Sequence, residues 1–140
     1  MEIKNVSSIE EIEAVFPVMN QLRTHLNKEN YLEMVGRMQR SDNYRLAAAF
    51  DGEEVCCVAG YRLQELLAYG KVLYVDDLIT DETARSRDFG KRMLDWLVEE
   101  ARKNGCEKLH LDSGVQRYGA HRFYFREGMN ISSYHFTKNL

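Results

Sequence analysis

The sequence predicts a mixed α/β fold, a sheet flanked by helices, and three observations carry that expectation. Two apolar runs meet at Asp51-Gly52, the signal of an antiparallel hairpin. Phe89, Met93, Trp96, Leu97 and Ala101 recur at helical spacing and mark the buried face of a helix closed by Gly105. Strand-like and helix-like segments alternate along 140 residues of which 44% are hydrophobic, enough chain for one packed core and too little for two ordinary domains. A single domain over residues 1–140 is expected.

Taken in order, residues 2 to 6 read as a short strand. Ser7-Ser8 followed by Glu10 and Glu11 has the spacing of a capping box, so a helix is expected from near Ser8. Its apolar positions Ile9, Ile12, Val15 or Phe16, Met19 and Leu22 keep helical spacing, and Pro17 should kink or split it. Tyr31 to Met38 reads as a further helical stretch. Leu46 to Phe50 and Val55 to Tyr61 form the hairpin strands. Gly70 opens a β-rich run from Lys71 to Thr80 that carries two adjacent acids, Asp76 and Asp77, near its end. Lys108 to Asp112 reads as a strand, Arg117 to Arg126 as a helix closed by Gly128, and Ile131 to Thr137 as a final strand whose edge would support a homodimer.

Composition removes several functions. The net charge of −3, from 19 basic and 22 acidic residues, gives no reason to expect a nucleic-acid partner. No apolar run approaches the roughly 20 residues that span a bilayer, and Met1-Glu2-Ile3-Lys4 lacks the apolar core of a signal peptide, so a cytoplasmic protein without a membrane partner is expected. Cys56, Cys57 and Cys106 have no metal-ligand spacing and read as reduced structural thiols. His110 and Asp112 share one strand face, but no third ligand has a fitting spacing and no metal is expected.

The segment Arg85-Ser86-Arg87-Asp88-Phe89-Gly90-Lys91-Arg92 sets four bases against one acid at the start of a helix. Free N–H groups and the positive end of the helix dipole hold anions at such a place, and Gly90 admits close backbone approach. A solvated basic helix start is the alternative reading of the same residues.

Arg85 and Gly90 fit the first and last positions of the pattern Gln/Arg-x-x-Gly-x-Gly/Ala. Ala120-His121-Arg122-Phe123-Tyr124-Phe125-Arg126-Glu127-Gly128-Met129 fits Ala-x-x-Phe/Leu-Tyr-x-x-x-Gly-Phe. On these motifs, and on the order of elements from about Tyr44 to Phe136, the chain resembles the GNAT acetyltransferase superfamily. The resemblance implies the GNAT acyltransferase fold, a mixed and mostly antiparallel sheet flanked by helices, with acetyl-CoA as cosubstrate. Its fourth and fifth strands splay apart, and the acetyl-pantetheine arm pairs with backbone groups that here belong to Leu78, Ile79 and Thr80. Arg85, Ser86, Arg87, Asp88, Phe89, Gly90 and Lys91 would form the pyrophosphate loop. Two positions depart from the family: Asp88 replaces its first glycine, and Arg117 stands where many relatives carry a cofactor-contacting asparagine.

Acetyl transfer to an amine needs a neutral nitrogen, a polarised carbonyl and a proton for the departing thiolate. By resemblance Tyr124 is the general acid and a backbone N–H near Leu78 polarises the carbonyl. Asp76 stands where relatives acting on amines carry an acid. An ordinary carboxylate near pKa ~3.9 deprotonates an alkylammonium near ~10.4 poorly, so Asp76 is read as an anchor that passes the proton to water. Asp77, placed on the opposite face by strand alternation, is read as structural. The expected reaction is direct acetyl transfer to a primary amine of a small molecule. A silent acyl-CoA-binding module and a protein-directed acetyltransferase are the alternatives.

Overall fold

The computed structural model describes residues 1–140 and orders them as β1 (Glu2–Val6), α1 (Ile9–Ala14), α2 (Phe16–Leu22), α3 (Lys28–Ser41), β2 (Tyr44–Asp51), β3 (Glu54–Leu66), β4 (Gly70–Thr80), a 3-10 turn (Glu82–Ala84), α4 (Phe89–Lys103), β5 (Lys108–Leu111) and α5 (Tyr118–Arg126). The chain divides into two compact units, Met1–His110 and Leu111–Leu140. No helix is long and apolar enough to cross a membrane.

In the first unit the capping box forms as the sequence requires. Glu11 N–H donates to Ser8 Oγ at 3.1 Å and Ser8 N–H returns a bond to Glu11 Oε1 at 3.4 Å. The following helix splits at Val15, and Pro17 occupies the first turn of α2, where a missing N–H costs nothing. The third helix is longer than the sequence suggested, because Asn27 starts it by accepting from Asn30 N–H at 2.8 Å.

The sheet runs in the order β1-β2-β3-β4-β5. Each of the first three neighbouring pairs is antiparallel, and the β2–β3 turn is Gly52-Glu53, one residue beyond the expected Asp51-Gly52, because Asp51 still pairs with Glu54 and Gly52 takes φ +63°. From β4 the chain crosses over through α4 before β5 joins the sheet, the connection that a parallel neighbour requires. One face packs against α1 to α3, where Val15, Val18, Tyr31 and Val35 cluster with Tyr44 and Leu46. The buried Tyr31 hydroxyl donates to Ile12 C=O at 2.7 Å and so carries no unpaired polar atom into that core. On the other face Phe89, Met93, Leu97 and Ala101 of α4 are buried as their spacing demands.

In the second unit α5 begins after Arg117 and ends as Gly128 takes φ +83°, with Met129 N–H closing back on Tyr124 C=O at 3.0 Å. The expected strand over Ile131–Thr137 does not form. No regular structure follows α5, and Ile131, Tyr134 and Phe136 stand 71%, 84% and 90% exposed. Strand-forming side chains make a strand only where another backbone supplies the ladder, so propensity alone does not form one. The edge on which a homodimer was expected to rest is therefore not a strand.

Candidate active site

The end of β4 is shaped by one extra residue. Gly60 of β3 pairs with Asp77 and Tyr61 pairs with Val75, so Asp76 has no partner opposite it and forms a β-bulge. The bulge cancels the alternation that would have sent the two acids to opposite faces. Tyr44 and Arg62 are cross-strand partners, and both acids turn toward them. Arg62 Nε lies 3.1 and 2.9 Å from the two oxygens of Asp76. Asp77 accepts from Tyr44 Oη at 2.7 Å and from Arg23 Nε at 2.8 Å, while a second Arg23 nitrogen reaches Asp76 C=O at 2.9 Å. The expectation that Asp77 lies on the far face is thus corrected.

Burial raises the Asp76 carboxyl above its ordinary pKa, with Arg62 pulling the other way. Burial, reinforced by Asp77, holds the Tyr44 phenol well above its usual value, so it stays a donor. Space around this network is minimal: a Cβ on Gly60 would sit 1.9 Å from Tyr44 Oη and 2.5 Å from Asp77 Oδ2.

Beyond the bulge, Leu78, Ile79 and Thr80 pair with Ala59, Val58 and Cys57 on the β3 side. On the other side β5 has four residues against the eleven of β4, and Glu107 N–H on Lys71 C=O at 2.9 Å anchors it at the Gly70 end. The Leu78–Thr80 end of β4 therefore offers backbone groups that β5 does not reach.

The chain then turns through Asp81, which accepts from Gln21 Nε2 at 2.7 Å and from Thr83 N–H at 3.0 Å. The Thr83 hydroxyl, which also donates to this carboxylate, lowers the Asp81 carboxyl most, and Gln21 adds to the effect. Ser86 and Asp88 both adopt left-handed backbone, at φ +69° and +62°. Asp88 is the residue preceding α4, yet its side chain makes no capping bond, which leaves the first N–H groups of a fifteen-residue helix uncapped. Arg85 and Arg92 are exposed. Arg87 is tied down, 2.5 Å from Asp51 Oδ2 with its guanidinium 4.9 Å from the Phe89 ring, and Lys91 meets Asp95 at 3.2 Å. Phe89 itself is buried as the first core residue of α4, and Gly90 is half-buried beside it.

A cavity of about 240 Å³ opens beside the bulge, between α2, α3 and the sheet. Met19, Leu26, Met34, Val35 and Met38 form its apolar wall, and Asp77, Tyr44 and Arg23 its polar end. Asp76 is not among the lining residues. Arg23, Tyr44, Arg62 and Gln21 went unnoticed in the sequence because they belong to no motif. The one available signal was Gly60, an isolated glycine inside a strand pattern, which marks a bulge or a close approach.

In the second unit Tyr124 is half-buried on α5, and burial raises its phenol while the Arg117 guanidinium opposes the shift. His121 Nε2 lies 2.8 Å from Gly114 C=O, a local tie and not a tuning contact to Tyr124. His135 Nδ1 stands 3.3 Å from Asp112, whereas in the first unit His110 packs edge-on against Tyr69 at 4.7 Å between centroids. The two residues that share a face in the sequence pattern thus have different partners. Cys56 and Cys57 are fully buried, and burial pushes the Cys57 thiol up to about 11, an inert environment for a nucleophile.

A bulged strand end beside an apolar cavity, followed by an uncapped helix start under basic side chains, is the layout of a group-transfer site. The model of the acetyltransferase (GNAT) family matches residues 8–129, and the chain belongs to that family. An uncharacterized N-acetyltransferase of Bacillus subtilis (strain 168), YhdJ, is 34% identical over 99% of this chain and 98% of its own. An aminoalkylphosphonate N-acetyltransferase of Salmonella typhimurium is 35% identical over 70% of this chain and 63% of its own. The crystal structure of a GNAT family acetyltransferase of Staphylococcus aureus superposes with a TM-score of 0.82, covering 99% of this chain and 98% of the other at 16% identity, a likeness of fold.

Proposed function

We propose that the protein, acting as one acetyltransferase domain, transfers the acetyl group of acetyl-CoA to a primary amine of a small molecule by direct attack. The observation that carries this reading is the join between the cavity and the β4 end: Asp77 lines the cavity, and Leu78, the next residue, begins the strand end that β5 does not reach. In this reading the backbone of Leu78, Ile79 and Thr80 pairs with the pantetheine arm, and the N–H near Leu78 polarises the thioester carbonyl. Ser86 to Lys91 wrap the pyrophosphate on the free N–H groups of α4, with Arg85 adding charge and Arg117 a further contact.

The neutral amine attacks, the C–N bond forms and the C–S bond breaks. Tyr124 gives its proton to the thiolate. The proton leaving nitrogen passes by water toward Asp76, whose carboxyl burial raises above its ordinary value. The raised Tyr124 phenol keeps its proton at neutral pH, at the cost of a steeper transfer than the ~2 kcal/mol separating ordinary phenol and thiol. Buried Cys56 and Cys57 are not available as acyl-enzyme nucleophiles.

Calorimetric titration with acetyl-CoA, followed by thiol release over a panel of amines, tests the reading. Turnover is expected, with kcat falling about 10²-fold or more in Tyr124→Phe while acetyl-CoA affinity holds. Binding without turnover on any amine would identify a silent acyl-CoA-binding module, and no binding would remove the cosubstrate.

A further inference from the structure

The acceptor cavity is closed to a second charge. Its lining brings one cationic and one anionic side chain, Arg23 and Asp77, to its polar end, and they lie against each other at 2.8 Å. Arg23 is further committed to Asp76 C=O, and Asp77 to the Tyr44 hydroxyl. His25 adds an imidazole on the exposed side of the lining. The remaining wall is apolar, and three of its side chains are methionines, which are flexible and polarisable and fit flat or irregular hydrocarbon.

An acceptor carrying phosphate, phosphonate or carboxylate would bring an anion to a wall whose one permanent cation, Arg23, is already paired with Asp77, the remaining wall being apolar, where desolvation is expensive. An apolar body fills the same space at a gain. A cavity of about 150 Å³ holds a six-carbon ring, so about 240 Å³ takes a molecule of about ten non-hydrogen atoms. The neutralised end also suits the chemistry. With Asp77 already paired, the cavity does not fix an ammonium as a full counter-charge, and its apolar wall lowers the pKa of an entering amine, enlarging the neutral fraction that attacks. A free lone pair of Asp77 accepts one N–H of that amine and orients it.

From this we infer that the acceptor is a primary amine on an apolar body of about ten non-hydrogen atoms, an arylalkyl or alkyl amine without an anionic group. The inference rests on the acetyl-transfer reading and narrows it to a substrate class different from that in the name of the aminoalkylphosphonate relative.

Competition between 2-phenylethylamine and 2-aminoethylphosphonate for acetyl transfer tests it, with acetyl-CoA binding measured separately by calorimetry. The expected result is a kcat/KM about a hundredfold higher for 2-phenylethylamine. Met34→Glu, a change at a partly exposed helix position, should cut that value about tenfold and leave acetyl-CoA affinity unaltered. Equal or better use of the phosphonate overturns the substrate class while acetyl transfer stands. An unaltered 2-phenylethylamine rate in Met34→Glu likewise overturns the placement of the acceptor in this cavity. Bound acetyl-CoA with turnover on neither amine overturns the class as well, and failure to bind acetyl-CoA overturns the acetyl-transfer reading and this inference with it.

Discussion

The bulged end of β4 and the loop leading into α4 are separated by only a few residues but are built on opposite terms. At the bulge each acid already has partners, Arg62 for Asp76 and the Arg23–Tyr44 pair for Asp77, and Gly60 leaves no spare volume. In the loop the backbone is strained at Ser86 and Asp88, and the start of α4 has N–H groups with no cap. The bulge is finished before a ligand arrives. Geometry is fixed at the bulge, while the helix start beyond the loop has no side-chain cap.

Filling the bulge is the most direct way to break that contrast. Gly60→Ala forces a methyl group between Tyr44 and Asp77 and should cost about 2 kcal/mol in urea unfolding, with acetylation falling alongside. An unchanged midpoint would mean that the network is looser than its distances imply. Relaxing the loop should work in the other direction. Asp88→Gly removes a left-handed aspartate and a negative charge from the helix start, so acetyl-CoA should bind about fivefold more tightly, equivalent to about 1 kcal/mol of helix-end electrostatics. Weaker binding by calorimetry would show that the carboxylate assists the cofactor.

The smallest effect concerns pH. The Asp76 carboxyl is raised in the folded protein, so its contribution to stability is fully present below the ordinary carboxylate pKa and is lost as pH rises through the raised value. The stability of wild type relative to Asp76→Asn should therefore decline as pH rises above about 4, the ordinary carboxylate value, as read by urea midpoints at each pH. A difference that stays flat, or grows, would mean that Arg62 outweighs burial.

The sequence disclosed those parts whose cause is local. The Ser8 capping box, the hairpin turn beside Asp51-Gly52 and the α4 periodicity are each dictated by residues within a few positions of one another, and each appears within one residue of its expected place. The bulge depends instead on which residue of β3 faces which residue of β4, a matter of register that alternation within one strand cannot reveal. That is why Asp77 was placed on the wrong face. Arg23 and Arg62 lie 54 and 14 positions from the acids they bind, beyond any local pattern. The error over Ile131–Thr137 has the same root, since propensity describes what a segment will accept and not whether a neighbour is present.

Arg87 behaves as a held reagent. Its guanidinium is paired with Asp51 beside the β2–β3 turn, so in the proposed reading an arriving pyrophosphate competes with a carboxylate already in place. The exchange swaps one anion for another around the same cation, and added salt loosens the resident pair as well as the incoming one. On that reading an arginine with a built-in counter-ion makes cofactor capture less sensitive to ionic strength than the loop's four positive charges would suggest, because the charge it offers the cofactor was never bare.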